Sequence, residues 1–187
     1  MERVTRYAAP LLLAATMLVA GSAPPMHSRT REALASLAEP EVLALLEDLF
    51  RRGGAGTRDI ERAAFLVRRD DGTFDCLLWP FTGGFRSESF QGRVPDGTVA
   101  IVHTHPNTMI KASRQDRDTA RTAGLPLFTV TWANISVVDP ANGKEHWGFR
   151  RDKWSAAIPA ATRETCRCRE IGTPDPRIVG TMVATGK

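Results

Sequence analysis

Two closely spaced histidines form the part of this chain with the clearest chemical content. His103 and His105 follow the apolar, largely β-branched run 99–102, which indicates a buried β-strand ending at the pair. Side chains alternate along a strand, so both imidazoles project from one face, about 7 Å apart along the chain. Imidazoles in this relation can bind a single metal ion.

The segment that follows supplies a third candidate ligand. Seven residues separate His105 from Ser113, which begins a polar segment predicted to be helical over residues 113–122. Asp116 follows three residues later and therefore shares a helix face with Ser113. Two imidazoles and one carboxylate leave a coordination position for water, as in catalytic zinc sites, and the Ser113 hydroxyl would face the same place.

Each of these pieces has a simpler explanation. A His-x-His pair at a strand end is more often a structural feature than a metal site. Ser-x-x-Asp is also a variant of the capping box, in which Ser113 accepts a hydrogen bond from a helix amide and Asp116 complements the helix dipole. Taken alone, Ser113 and Asp116 would be interpreted as a helix cap.

The combined pattern resembles the signature of a known family. H-x-H-P, then S-x-x-D with seven residues between the second histidine and the serine, is the pattern of the JAMM (MPN-plus) metallopeptidases, and residues 103–116 match it without a gap. The resemblance extends more loosely over residues 60–154. It implies an α/β (α+β) fold: a single MPN/JAB-like domain with a curved mixed β-sheet flanked by helices, similar to cytidine deaminases.

The resemblance also implies a role for each residue of the pattern. His103, His105 and Asp116 would hold Zn²⁺, and Ser113 would stabilise the tetrahedral intermediate. A glutamate on an earlier strand would carry the proton.

Glu61 is the first candidate for that glutamate, because it stands at the start of the apolar run 63–67. Family members commonly have a glycine soon after the glutamate, and this chain has Ala63 and Ala64 there. A solvated acid at a strand start is the alternative interpretation. Glu88 is the second candidate.

The implied function is that of a zinc-dependent peptidase or isopeptidase, which hydrolyses an amide bond of a peptide or protein with metal-activated water. One alternative is a catalytically inactive MPN-type scaffold that binds proteins in the cell envelope. Another is a different metal hydrolase, such as a phosphoesterase. Those sites usually recruit several more histidines, whereas this chain has only His27 and His146 besides the pair. His146 is interpreted as a surface or packing residue.

Composition and the N-terminal residues indicate which partners and which location can be expected. The formal net charge is +4, and the basic residues are spread along the chain without interleaved aromatics, which argues against nucleic-acid binding. Residues 1–23 resemble a secretory signal peptide: Arg3 and Arg6 precede the mostly apolar run 8–20. That run is short for a membrane helix, so a secreted or periplasmic protein without a stable span is expected. An uncleaved anchor is the alternative.

The remaining patterns predict the elements around the site. Residues 28–52 are predicted to form two helices divided at Pro40, and the second has a wide apolar face that ends at Gly53. An Asn-Gly pair predicts a hairpin near residue 143. Strand patterns occur at residues 63–67, 74–79, 127–131, 135–138 and 144–149.

Two stretches are predicted to be irregular. Residues 80–97 are expected to be a long connection beside the site, with Phe85, Arg86 and Phe90 either touching substrate or packing beneath the loop. The domain is expected to span residues 28–160, and residues 161–187 to form a tail with an ordered edge and a loose end. Cys76 is expected to pair with Cys166 or Cys168 in a disulfide, since export favours oxidation.

Overall fold

The computed structural model describes residues 26–58, 60–81, 87–106, 109–150, 154–171 and 181–185. The predicted leader, residues 1–23, lies outside this part of the chain. Phe85 and Arg86, which are candidates for substrate contact, also lie outside it.

The described residues contain four α-helices: α1 Ser28–Ser36, α2 Pro40–Arg52, α3 Arg114–Ala123 and α4 Ala160–Thr165. α2 begins at Pro40, which fits a first helical turn because proline lacks the N–H that would be unbonded there. Ser113 is the N-cap of α3, one residue ahead of the helix itself. Among the described residues, no helix has the length and apolarity needed to cross a membrane.

Nine strands occur in the described residues: β1 Ala63–Arg68, β2 Phe74–Leu78, β3 Ser87–Gln91, β4 Thr98–Thr104, β5 Leu127–Val130, β6 Asn134–Val138, β7 Glu145–Arg150, β8 Arg169–Glu170 and β9 Thr181–Thr185. Seven of them form one sheet in the order β7-β6-β5-β4-β1-β2-β8, and β3 pairs with β9. The pairs β4–β5 and β2–β8 are parallel, and the other pairs are antiparallel. The sheet is therefore mixed and flanked by helices, which confirms the predicted fold class at this level.

The sheet buries different residues on its two faces. Ala64 and Leu66 of β1 join the apolar cluster that contains α2, and we call that side the α2 face. Phe65 and Val67 join a smaller cluster that contains Ala120 of α3, and we call that side the α3 face. This alternation along one strand is what a sheet covered on both sides requires.

A disulfide links the segment that precedes the edge strand β8 to the neighbouring strand β2. Cys76 on β2 is bonded to Cys168, 92 residues away and next to β8, and Cys166 is a free thiol. Of the two pairings that the sequence left open, the structure contains the one with Cys168. Both bonded cysteines lie in the α2-face cluster.

The prediction of an irregular connection over residues 80–97 was wrong in part, because β3 lies within it. Phe90 on this strand is buried against Phe65 and Trp79, with ring centroids 4.9 and 5.5 Å away. It therefore packs in the core of the α3 face. The partner strand β9 is about 95 residues further along the chain, a separation that no local pattern reveals.

The segment after Ala160 has more regular structure than was expected of it. α4 follows at once, β8 extends the seven-stranded sheet, and β9 pairs with β3. Cys168 fixes this segment covalently to β2.

Candidate metal centre

The end of β4 holds the two histidines in a fixed relation. His103 is opposite Ala63 of β1 and Thr129 of β5, and its side chain is fully buried on the α3 face. His105, one step beyond the strand, is 1% exposed, and its N–H donates to the Val130 carbonyl at 3.0 Å. The two rings meet edge to face with centroids 4.5 Å apart.

Thr104, between the histidines, faces the other side of the sheet. Its side-chain oxygen accepts from the Arg62 amide at 3.0 Å, and its own N–H donates to the Arg62 carbonyl at 2.9 Å. A Cβ added to Gly53, the residue that ends α2, would come within 2.6 Å of that Thr104 oxygen. The glycine therefore lets α2 approach the backbone that carries both histidines.

The first turn of α3 supplies the carboxylate. Ser113 and Asp116 form a complete capping box, in which the serine oxygen accepts from the Asp116 amide at 3.1 Å and the Asp116 carboxylate accepts from the Ser113 amide at 2.5 Å. The cap orients the Asp116 side chain. The Asp116 carboxylate thus both caps the N-terminus of α3 and faces the two histidines.

The three predicted ligands converge. Asp116 Oδ1 lies 3.3 Å from His103 Nε2, and Asp116 Oδ2 lies 3.3 Å from His105 Nε2. All three side chains are buried, and their ligand atoms lie within 4.8 Å of one another. Three ligand atoms at these separations can bind one ion, because atoms that each lie about 2 Å from the same metal are at similar distances from one another.

The hydrogen bonding fits a cation better than a closed polar network. In the part of the chain that the structure describes, the buried contacts of Asp116 with the two imidazoles are long for hydrogen bonds, at 3.3 Å, and Asp116 Oδ1 and His105 Nε2 form no hydrogen bond of standard geometry. Buried polar atoms are normally paired. A positive ion among these atoms would satisfy the lone pairs that the protein leaves unmatched.

The protonation states also suit metal ligation. Burial lowers the pKa of His103 to about 4, against the opposing charge of Asp116, so this imidazole is neutral at neutral pH. Burial alone would raise the pKa of Asp116. The nearby His103 and His105, with the Ser113 amide, outweigh it and lower that pKa to about 2. A neutral imidazole and an ionised carboxylate are the forms that bind a metal.

The strand register determines the face of the sheet on which Glu61 lies. The backbone pairing of β1 with β4 continues past Ala63, because the Thr104 amide bonds to the Arg62 carbonyl. By alternation Glu61 then lies on the α3 face, at the level of His105. Glu61 is 0% exposed, so its interpretation as a solvated acid was wrong.

Glu88, the second candidate, is also buried, at 1% exposure. It precedes Phe90 by two residues on β3, and Phe90 packs on the α3 face. Alternation therefore directs Glu88 to the same side of β3.

The two other histidines lie on the opposite side of the sheet. His146 is paired with Val137, which belongs to the α2 face, and its Nε2 is 4.0 Å from Asp139. The His27 amide donates to the same Asp139 carboxylate at 3.1 Å. Neither histidine belongs to the cluster around Asp116.

Thr129 is a neighbour of the site that the sequence did not single out. Its hydroxyl lies 3.4 Å from His103 Nε2. The contact follows from the parallel register of β4 and β5, which the sequence leaves undetermined.

Comparison of the chain with models of protein families, with curated proteins and with solved structures found no match. The function of the site is therefore inferred from the spacing of its residues in the sequence and from their geometry in the structure.

Proposed function

We propose that this protein is a zinc-dependent peptidase or isopeptidase of the JAMM (MPN-plus) type, with an MPN/JAB-like fold, which hydrolyses an amide bond with metal-activated water. One observation carries the proposal: His103, His105 and Asp116, whose spacing matches that family, are buried with the carboxylate oxygens 3.3 Å from both imidazoles.

Zinc is proposed because of the donor set. Two imidazoles and one carboxylate are ligands that zinc accepts, with a fourth position left for water in catalytic sites. A bound zinc ion would act as a Lewis acid, lowering the pKa of water to around 7 and polarising the scissile carbonyl.

Glu61 is proposed to carry the proton. Its carboxylate would accept a proton from the attacking water and return it to the nitrogen of the leaving amine. Complete burial of Glu61 on the face that holds His105 supports this role, because proton carriers must be held close to the reacting atoms.

Ser113 is proposed to donate to the oxyanion. Its oxygen already accepts from the Asp116 amide, but a serine hydroxyl that accepts a hydrogen bond still carries its own proton. Removal of comparable donors in other enzymes costs about 3 kcal/mol of transition-state stabilisation.

The substrate is proposed to be a peptide or protein, cleaved at a peptide or isopeptide bond. If residues 1–23 are a signal peptide, the protein acts outside the cytoplasm, where cell-wall peptides and envelope proteins are the available targets.

A catalytically inactive protein-binding scaffold is the second candidate, and the complete capping box is the observation in its favour. Ser113 and Asp116 satisfy each other's backbone amides, which explains both residues without any metal. The two candidates differ in whether the purified protein binds zinc.

Metal analysis of the wild type and three variants separates them. We expect about one zinc per chain in the wild type, its loss in His105→Ala, and its retention in the control His146→Ala, whose ring lies on the other face. Glu61→Gln should keep the metal and lose hydrolysis of cell-wall peptide fragments and isopeptide-linked proteins.

Three results would count against the proposal or part of it. A folded wild type without zinc affinity favours the scaffold. Zinc that survives in His105→Ala excludes the site. Full hydrolysis by Glu61→Gln assigns the proton transfer to another residue, and Glu88→Gln is then the next variant.

A further inference from the structure

Ala112, the residue before the N-cap of α3, has both of its backbone polar groups held by side chains. Its N–H donates to Glu145 Oε1 at 3.1 Å, and its carbonyl accepts from Arg117 Nη2 at 3.2 Å. The same Arg117 nitrogen is 3.4 Å from Glu145 Oε2. We call these two side chains the Ala112 clamp.

The clamp is anchored in the hairpin formed by β6 and β7. Glu145 Oε1 also accepts from the Ser136 hydroxyl at 2.7 Å, and Arg117 Nη1 donates to the Gly143 carbonyl at 2.7 Å. The Glu145 side chain is only 10% exposed. A largely buried carboxylate that accepts three bonds, one of them from a guanidinium, is held in one position.

Ser136 connects the clamp to the histidines through the sheet. His103, Thr129 and Ser136 are opposite one another on three successive strands and therefore share one face. Ser136, the member of this row on β6, donates its hydroxyl to Glu145. Glu145 in turn accepts from the amide of Ala112, the residue before Ser113. The start of α3 is thus linked to this row through Glu145 and Ser136, by contacts that involve neither Asp116 nor His105.

We infer that Glu145 is a positioning residue for the metal centre: it fixes the height of α3 over the sheet, and so the distance from Asp116 to His103 and His105. The inference rests on the proposed metal site. Ligands supported in this way bind more tightly than loose ones, and loss of supporting partners of metal ligands typically costs 10–100-fold in metal affinity.

Metal affinity and the spectrum of bound cobalt measure this role independently of hydrolysis. Co²⁺ is added to the full chain, its visible absorption is recorded, and zinc affinity is measured by competition with a chelator. Glu145→Ala should weaken zinc binding by about 10–100-fold and change the cobalt spectrum, because Asp116 moves away from the imidazoles. Glu145→Gln, which keeps the size and one acceptor oxygen, should show a smaller change.

Asp118→Ala is the matched control. Asp118 lies on the exposed side of α3, where it pairs with Arg121 at 3.2 Å. Its removal should leave zinc affinity and the cobalt spectrum at the wild-type values.

The outcomes separate this inference from the peptidase proposal. Glu145 variants that lower the melting temperature of the metal-free protein but keep wild-type zinc affinity and cobalt spectrum overturn the positioning role. A wild type that binds zinc but cleaves nothing overturns the peptidase proposal and leaves the positioning role standing if the variants behave as expected. A wild type with no affinity for either ion overturns both.

Discussion

Two buried carboxylates on opposite faces of the seven-stranded sheet, Glu47 and Asp116, have different kinds of partner. On the α2 face, Glu47 lies 2.7 Å from the Arg163 guanidinium and accepts from the Ser155 hydroxyl at 2.8 Å. On the α3 face, Asp116 faces two imidazoles, each 3.3 Å from one of its oxygens. Glu47 is thus paired with a permanent cation, whereas Asp116 is paired with imidazoles, of which His103 is neutral at neutral pH.

The difference suggests a division of labour. The α2 face has the larger apolar cluster and the disulfide, so most of the stability should reside there. The α3 face, in contrast, buries four ionisable side chains: His103, His105, Asp116 and Glu61. Natural proteins break the rules of good packing mainly at functional sites, where stability is given up for chemistry.

Removal of the disulfide on the α2 face should have the largest effect on the free energy of unfolding. Cys168→Ser should lower the free energy of unfolding by about 4 kcal/mol, because the bond closes a loop of 92 residues in the unfolded chain. Denaturant unfolding measures the change. Zinc content per folded chain should stay the same, since neither cysteine belongs to the α3 face.

Cys166→Ser is the control for that variant. Cys166 is the free thiol two residues away, so its replacement should change stability little. Loss of zinc in Cys168→Ser at full folding would show that the two faces are not independent.

Acid sensitivity should belong to the α3 face. The pKa of His103 falls from 6.5 to about 4 on folding, so the unfolded chain takes up this proton first as the pH drops. Stability from this group is complete above pH 6.5 and is lost as the pH falls toward 4, by about 3 kcal/mol. Asp116 follows, with its contribution lost between pH 3.8 and about 2.

Unfolding of the metal-free protein at several pH values tests this, with His103→Gln as the comparison. Glutamine does not titrate, so the variant should lose less stability than the wild type between pH 6.5 and 4. Equal losses in both proteins would assign the acid sensitivity to other groups.

The comparison of the faces also explains how far the sequence could predict the site. His103, His105, Ser113 and Asp116 are close in the chain, and their arrangement follows from local rules, the alternation of a strand and the spacing of a helix. Their convergence can therefore be predicted from the amino-acid sequence. Burial of Glu61 cannot, because it depends on what covers the start of β1.

The contributions that the sequence could not show depend on strand register. Thr129 meets His103, and Glu145 meets Ala112, only because the four strands β4 to β7 are aligned in a particular way. A shift of one residue would turn each side chain to the other face. β3 was missed for a related reason, since its partner β9 is far away in the chain.

Ser113 gives the smallest expected effect on stability, and it tests whether the α3 face combines capping with chemistry. Ser113→Ala removes the side-chain oxygen that accepts from the Asp116 amide, which should cost about 1 kcal/mol. Ser113→Asn keeps a capping oxygen but has no hydroxyl, so it should restore most of that stability. Ser113→Thr keeps both functions.

Hydrolysis rates of the same three variants complete the test. If the hydroxyl donates to the oxyanion, kcat should fall about 100-fold or more in both the alanine and the asparagine variants and recover in the threonine variant. An asparagine variant that is as active as the wild type would reduce Ser113 to a cap. The α3 face would then owe its chemistry to the histidines and carboxylates alone, because the cap acts only by holding Asp116 against the two rings.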